Sequence, residues 1–466
     1  MAAISFLGDL LQTVTDRGRG LIGLARAEGA ARASPADLVS LCEDLLSRRG
    51  EASGVALARL ILDRYAALSE PERDAFLRRA AVAFGADHAA VETAIAAYRD
   101  DPSRAALGAL HEAAEPRSQE LIRRLNLAPH GTLALVRMRE DLFALRARLA
   151  AEPAPNEPEL REPGLREAAE ALDADFSHLF SSWFNRGFLV LRRIDWTSPA
   201  HILEKIIRYE AVHEISDWDD LRRRTEPADR RCFAFFHPAL GDEPLIFVEV
   251  ALTPSIPEAI GPILAERRPV LRPSDFTTAV FYSISNCQKG LAGVSFGNFL
   301  IKQVAEDLCR EMPGLKTFVT LSPVPGFRRW LDRERALGRL APDDAETLRV
   351  LDIPGWEADT ARAEAVRRAL MPAAAAYFLR AKSGGGRPLD PVARFHLGNG
   401  ARLERLNFLG DRSPKGFSQS HGLMVNYLYD LAAIERNHEA YADGGGVTAA
   451  PAVSRELKPE KAPAEA

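Results

Sequence analysis

Three segments of this 466-residue chain carry residue types that could do chemistry. The first runs FYSISNCQKGLAGVSFGNFLIKQVAEDL, from Phe281 to Leu308, and reads as an apolar strand, a turn with Gly290, Gly293 and Gly297, and an amphipathic helix. Glycines let a backbone approach a ligand closely, and the free N–H groups at a helix start suit a pyrophosphate. No GK[ST] follows and no GxGxxG is present, so neither a Walker A loop nor a dinucleotide loop is indicated. The turn is also readable as a tight connection with no ligand.

The second segment, TFVTLSPVPGFRRWL, ends a strand at Ser322 and enters a short helix after two prolines. A hydroxyl at a strand end lies where open α/β sheets bind substrates. The alternative is a serine that caps the helix or bonds to nearby backbone. In the third, RFHLGNGARLERLNFLGDRSPKGFSQSHGLMVNYLYDL, His396 stands between Phe395 and Leu397 in what reads as a strand. An apolar setting there could tune an imidazole for proton transfer, or hold it as a satisfied core residue. His421 opens what looks like a helix, an end-of-helix or surface role, and His237, before Pro238, reads as a structural turn residue.

The elements that must position these groups divide the chain in two. Residues 1–150 show apolar residues at three- and four-residue steps, as in Leu38, Leu41, Cys42, Leu45 and Leu46, with helix starts at Ser34-Pro35 and Ser69-Glu70-Pro71-Glu72. This all-helical domain lacks a catalytic set of its own, and its broad apolar stripes suit packing or self-association. Residues 151–164, with four prolines among acidic residues, read as a linker. From 165 to 443 strands near 188–194, 233–237, 245–253, 277–285 and 318–322 alternate with helices near 199–209, 256–267, 294–311 and 326–335. That alternation predicts a mixed central sheet with helices, an α+β chain overall. Residues 444–466 have few large apolar side chains and are expected to be disordered.

Composition narrows the function classes. The formal charge of −5, with 47% hydrophobic and 27% charged residues, offers no basic excess for nucleic acid or a membrane surface. Four scattered cysteines, Cys42, Cys232, Cys287 and Cys309, form no CxxC pair, which argues against a structural zinc site and fits a reducing compartment. No apolar run reaches the roughly 18 residues that span a bilayer. The first twenty residues lack a secretory pattern and the C-terminus is not a peroxisomal Ser-Lys-Leu, so the expected location is the cytoplasm.

Four motifs, FYSIS…GLAGVSFGNFLIK, TLSPVPGF, FHLGNGARLERLNFLGD and GLMVNYLYDL, in this order and spacing, resemble the malonyl-CoA decarboxylase family, densely over residues 170–435. The resemblance implies a helical, oligomer-forming N-terminal domain and a catalytic domain of the GNAT acyltransferase fold. It also implies decarboxylation of malonyl-CoA to acetyl-CoA and carbon dioxide with no metal or organic cofactor, and a homotetramer as the expected assembly. The family's catalytic serine, a proton acceptor, falls on Ser322, and its catalytic histidine, a proton donor, on His396. The CoA-binding loop falls on Ala292 to Asn298, and with the glycine turn the binding set is Gly290, Leu291, Ala292, Gly293, Val294, Ser295, Phe296, Gly297 and Asn298, completed by Ser322 and His396. The acetyltransferase loop pattern is half met: Gly290 and Ala292 fit, while Cys287 occupies the position of a basic or amide residue. Two other readings remain, a GNAT-type acyltransferase acting on an amine and a CoA-responsive scaffold.

Overall fold

The computed structural model describes residues 34–47, 50–151, 164–269, 271–294 and 300–457. The body of the proline-rich segment, 152–163, and four of the loop residues named above, Ser295, Phe296, Gly297 and Asn298, lie outside the described residues. The chain forms two compact units. The first is built from the residues up to Leu189 together with His237–Gly241 and Gln288–Phe296, and the second holds the remainder.

The first unit is helical as expected. Its helices are α1 (Pro35–Ser47), α2 (Glu51–Ala67), α3 (Glu70–Ala83), α4 (His88–Asp100), α5 (Arg104–Ala114), α6 (Arg117–Asn126), α7 (Gly131–Ala151) and α8 (Leu165–Trp183). At the start of α3 the backbone N–H and hydroxyl of Ser69 donate to Glu72 at 2.7 and 2.6 Å, closing the first turn as the sequence predicts. Leu38, Cys42 and Leu45 of the α1 stripe are fully buried, and α1 packs on α2 and α3. The sequence reading placed α8 in the catalytic domain. It belongs instead to the helical unit, where Phe176 and Phe180 are buried and α8 packs on α3 and α7.

The second unit contains an eight-stranded mixed sheet. Its strands are β1 (Val190–Ile194), β2 (Arg230–Phe236), β3 (Pro244–Thr253), β4 (Thr278–Asn286), β5 (Thr317–Thr320), β6 (Ser322–Pro323), β7 (Arg402–Asn407) and β8 (Met424–Leu428). β1 to β4 are antiparallel neighbours, and β4 pairs with β5 in parallel. A parallel pair needs a crossover, and helix α9 (Leu300–Glu311) stands between β4 and β5 in sequence. β8 pairs antiparallel with both β5 and β6, in one register, and with β7 on its other edge. The nearly continuous burial along β3 and β4, both nearly free of charge, marks the centre of the core.

Three expectations are corrected here. The helix expected over 256–267 shrinks to Gly261–Leu264: Pro257 breaks the segment before it, and Pro262 sits in the first turn of the short helix that forms. The carbonyls of Ile256 and Pro257 find Arg405 instead, at 3.1 and 2.8 Å. The tail is ordered as far as Leu457: Ala449 bridges Leu403, helix Pro451–Glu456 follows, and Val453 is buried. Residues 458–466 lie outside the described residues. His396 lies on a helix, as set out below.

Candidate functional site

Thr320 and Ser322 are two residues apart along one extended run, so their side chains share a sheet face. The register that sets Val319 opposite Leu428 and Ser322 opposite Val425 brings Thr320 opposite Tyr427, and Tyr429 follows on that face two residues later. Helix α10 (Pro391–Gly398) delivers His396 to these groups. Asp390 caps the helix, accepting from Ala393 N–H at 2.8 Å and from the Tyr377 hydroxyl at 3.2 Å. A closely packed glycine links this element to the next. Gly400, at φ +80°, turns the chain from α10 toward β7, and a Cβ there would stand 2.1 Å from the carbonyl oxygen of Ile434.

The result is a buried hydrogen-bonded chain. His396 Nε2 lies 3.2 Å from Ser322 Oγ, although the two residues are 74 apart in sequence. His396 Nδ1 lies 2.8 Å from the Tyr429 hydroxyl. Ser322 Oγ donates to Thr320 Oγ1 at 2.9 Å. The imidazole stacks on Tyr427, with ring centroids 4.5 Å apart and planes 27° from parallel. Ser322 is 5% exposed and His396 3%, so the pair works out of bulk water. Burial alone holds the His396 pKa down at about 3, which keeps the ring neutral at physiological pH. The same burial pushes the Tyr429 hydroxyl far above its ordinary value, so it keeps its proton.

Sequence reasoning found Ser322 and His396 but put the histidine on a strand. Leu397 is buried beside the histidine while Phe395 lies on the exposed side of the helix; the Asp390-Pro391 pair is the start signal that shows it. Thr320, Tyr427 and Tyr429 were missed. Their two-residue spacings, Thr-x-Ser and Tyr-x-Tyr, are the signal that places each pair on one face. His421 ends a helix rather than opening one: it follows helix α11 (Pro414–Ser420) at φ +52° and is buried. His237 is the turn residue expected, its Nδ1 accepting from Ala239 N–H at 3.2 Å. Among the described residues no group of three His, Cys, Asp or Glu could hold a metal ion, and no helix is long and apolar enough to cross a membrane.

The described part of the glycine turn, Gln288 to Val294, belongs to the helical unit. There Gly290 serves packing: a Cβ would stand 1.9 Å from the carbonyl oxygen of Val136 in α7. Its N–H donates to Glu140 at 3.2 Å and its carbonyl accepts from Arg139 at 3.0 Å, so both backbone groups already have partners. Leu291 and Val294 are buried, as is Cys287, whereas Ala292 and Gly293 are exposed, the latter at φ +81°. The bare Cα of Gly290 is thus what lets the turn pack closely against α7. Gly290→Ala is expected to destabilise the protein by about 1–3 kcal/mol through overpacking, read as a lower urea midpoint. An unchanged midpoint would show that the turn moves off α7 freely.

Comparison with known proteins agrees with the four motifs on which the geometry rests. Residues 187–466 match the model of the malonyl-CoA decarboxylase C-terminal domain, and residues 84–184 match that of the N-terminal domain. The mitochondrial malonyl-CoA decarboxylase of Anser anser anser is 36% identical over 389 residues, 77% of this chain and 74% of that protein. The Rattus norvegicus protein of the same name is 34% identical over 418 residues, 83% of this chain and 82% of that one. The crystal structure of malonyl-CoA decarboxylase from Rhodopseudomonas palustris is 59% identical, with a TM-score of 0.85 over 91% of this chain and 100% of that chain. The structure from Agrobacterium vitis is 60% identical, with a TM-score of 0.83 over 91% and 100%. With both domain models matched in order and these relatives aligned across most of its length, the chain belongs to the malonyl-CoA decarboxylase family.

Proposed function

We propose that this protein decarboxylates malonyl-CoA to acetyl-CoA and carbon dioxide, with Ser322 and His396 as the catalytic pair. The observation that carries the reading is the buried 3.2 Å contact between Ser322 Oγ and His396 Nε2 in a chain of this family. Breaking the bond between C2 and the carboxyl carbon sends its electron pair into a thioester enolate and releases carbon dioxide. The enolate then takes a proton at C2. Ser322 accepts from Nε2 and holds the ring in place, and His396 gives up its Nε2 proton to C2. The imidazolate left behind is steadied by the hydrogen bond that the Tyr429 hydroxyl, 2.8 Å away, donates to Nδ1, and it regains its proton at Nε2 from water as the product leaves. A thioester enolate is a far stronger base than the groups left behind, so the transfer runs downhill. The thioester stabilises its own enolate, and the proposed reaction requires no metal or organic cofactor.

For the CoA portion we retain Ala292 and Gly293, which are exposed, with Ser295 to Asn298. The test is malonyl-CoA labelled with ¹³C in the free carboxyl group, supplied without any amine acceptor. Release of labelled carbon dioxide supports the decarboxylase; dependence on an added amine would support an acyltransferase and overturn it.

Self-association through the helical unit, to a homotetramer, is the second part of the reading. α4 and α5 bury one residue between them, Ala94, while Leu107 of α5 is 51% exposed. An apolar helix face left in water is commonly covered by another copy. Light scattering of the full chain should return about four times the mass of one chain, and Leu107→Glu should lower it. A monomer at micromolar concentration would refute the assembly. The cytoplasm is the compartment we assign, to be checked by fractionation of the source cells.

A further inference from the structure

We propose that Thr320 is a positioning residue that sets the direction of the hydrogen bond between Ser322 and His396, and with it the tautomer of the imidazole. The inference rests on the Ser322–His396 reading and adds a residue to it.

Pairing at Thr320 departs from an ordinary ladder. In the register of β5 against β8 this residue lies opposite Tyr427, yet the Tyr427 N–H donates to the Thr320 side-chain Oγ1, at 3.1 Å. The Thr320 carbonyl is taken by the Asn426 side-chain amide at 2.8 Å. Asn426 is itself fixed, fully buried and accepting from Arg405 and Asn407 at 3.1 and 2.8 Å. Two side chains thus replace main-chain pairing where the strand passes from Thr320 to Ser322.

This places Thr320 Oγ1, a residue with no exposure, as the acceptor of the Ser322 hydroxyl proton. A hydroxyl has one proton. Once it is committed to Thr320, Ser322 Oγ can only accept from His396, so Nε2 must carry the ring proton. A neutral imidazole then leaves Nδ1 as an acceptor, and the Tyr429 hydroxyl donates to it. Every bond in the chain runs one way: Tyr429 to His396, His396 to Ser322, Ser322 to Thr320. The ring is thereby held with its transferable proton on the side of the reacting group. Without the Thr320 oxygen, Ser322 is free to donate to Nε2, and the ring proton moves to Nδ1, facing Tyr429 and away from substrate.

The test uses full-length protein labelled with ¹⁵N in histidine, with the His396 signals identified by their loss in His396→Gln. In the wild type Nε2 should be protonated and Nδ1 unprotonated. Thr320→Val should reverse this and lower kcat on the order of 10²-fold, with KM for malonyl-CoA little changed. Thr320→Ser, which keeps the oxygen, should restore the tautomer and most of the rate. A wild-type ring protonated at Nδ1 would overturn the proposal, as would a Thr320→Val protein whose tautomer or turnover is unaltered. Because Thr320→Val also strips the acceptor from the Tyr427 N–H, the wild-type tautomer and the serine variant decide the matter if that protein does not fold. Full turnover by His396→Gln would instead refute the Ser322–His396 reading, a result independent of the tautomer.

Discussion

Replacing His396 with alanine is expected to lower kcat by a factor on the order of 10² to 10⁴ while leaving the affinity for CoA nearly unchanged, because loss of a positioned general acid removes a proton transfer and not a binding contact. The ring sits between Ser322 at 3.2 Å and Tyr429 at 2.8 Å, and no charged partner is among its hydrogen bonds. Its pKa, held down at about 3 by burial, adds a pH signature. The histidine stays neutral through the range where a free imidazole titrates, so kcat should show no inflection from it near pH 6.5. Stability should respond. Below about pH 6.5 the unfolded chain takes up a proton that folded His396 refuses, so its contribution is complete above that pH and is lost progressively as pH falls toward about 3. His421 and His213, each held down at about 4 chiefly by burial, add to the same loss. Urea midpoints should therefore fall from pH 7.5 to pH 5, and less steeply in His396→Gln. A full-rate, folded His396→Ala protein would remove the residue from the mechanism.

Ser322→Ala is expected to lower kcat on the order of 10² to 10³, because it removes the oxygen that accepts from His396 Nε2 and so holds the general acid in place. Ser322 is small, buried and bonded on both sides, to Thr320 at 2.9 Å and to His396. The alanine variant leaves the neighbouring backbone pairing with Val425 intact, so folding should be preserved. A change confined to KM would make Ser322 a binding residue rather than part of the proton path. The double variant with His396→Ala should lose little more than the worse single one, since groups that act as a unit are strongly non-additive.

Periodicity made the helical region and the order of most strands legible. Apolar steps of three and four fixed the α1 stripe, and runs of β-branched and aromatic residues located β1, β3 and β4 within two residues. What escaped depends on tertiary context. The 256–267 segment has helical apolar spacing, but its prolines and the Arg405 guanidinium, distant in sequence, decide its backbone. His396 looked like a strand residue because its helix is only eight residues long and carries an apolar residue, Phe395, on its exposed side. The glycine turn shows the opposite trap. Gly290 was readable as room for a ligand or as a tight connection, and in the structure the Val136 carbonyl of α7 approaches it. A glycine in a sequence marks close approach without saying what approaches. Ser322 and His396 stood out in their own segments and took catalytic roles through motif resemblance, whereas Thr320, Tyr427 and Tyr429 needed the register of β5 and β8 to show that they share a face.

The most direct measurement on the central claim is to incubate the purified full-length protein with malonyl-CoA in D₂O and weigh the CoA products by mass spectrometry. Decarboxylation by the Ser322–His396 pair predicts acetyl-CoA formed in step with malonyl-CoA consumed, one deuterium in each new methyl group, and both signals lost together in His396→Ala. Malonyl-CoA left intact, or acetyl-CoA formed equally fast without His396, would contradict it.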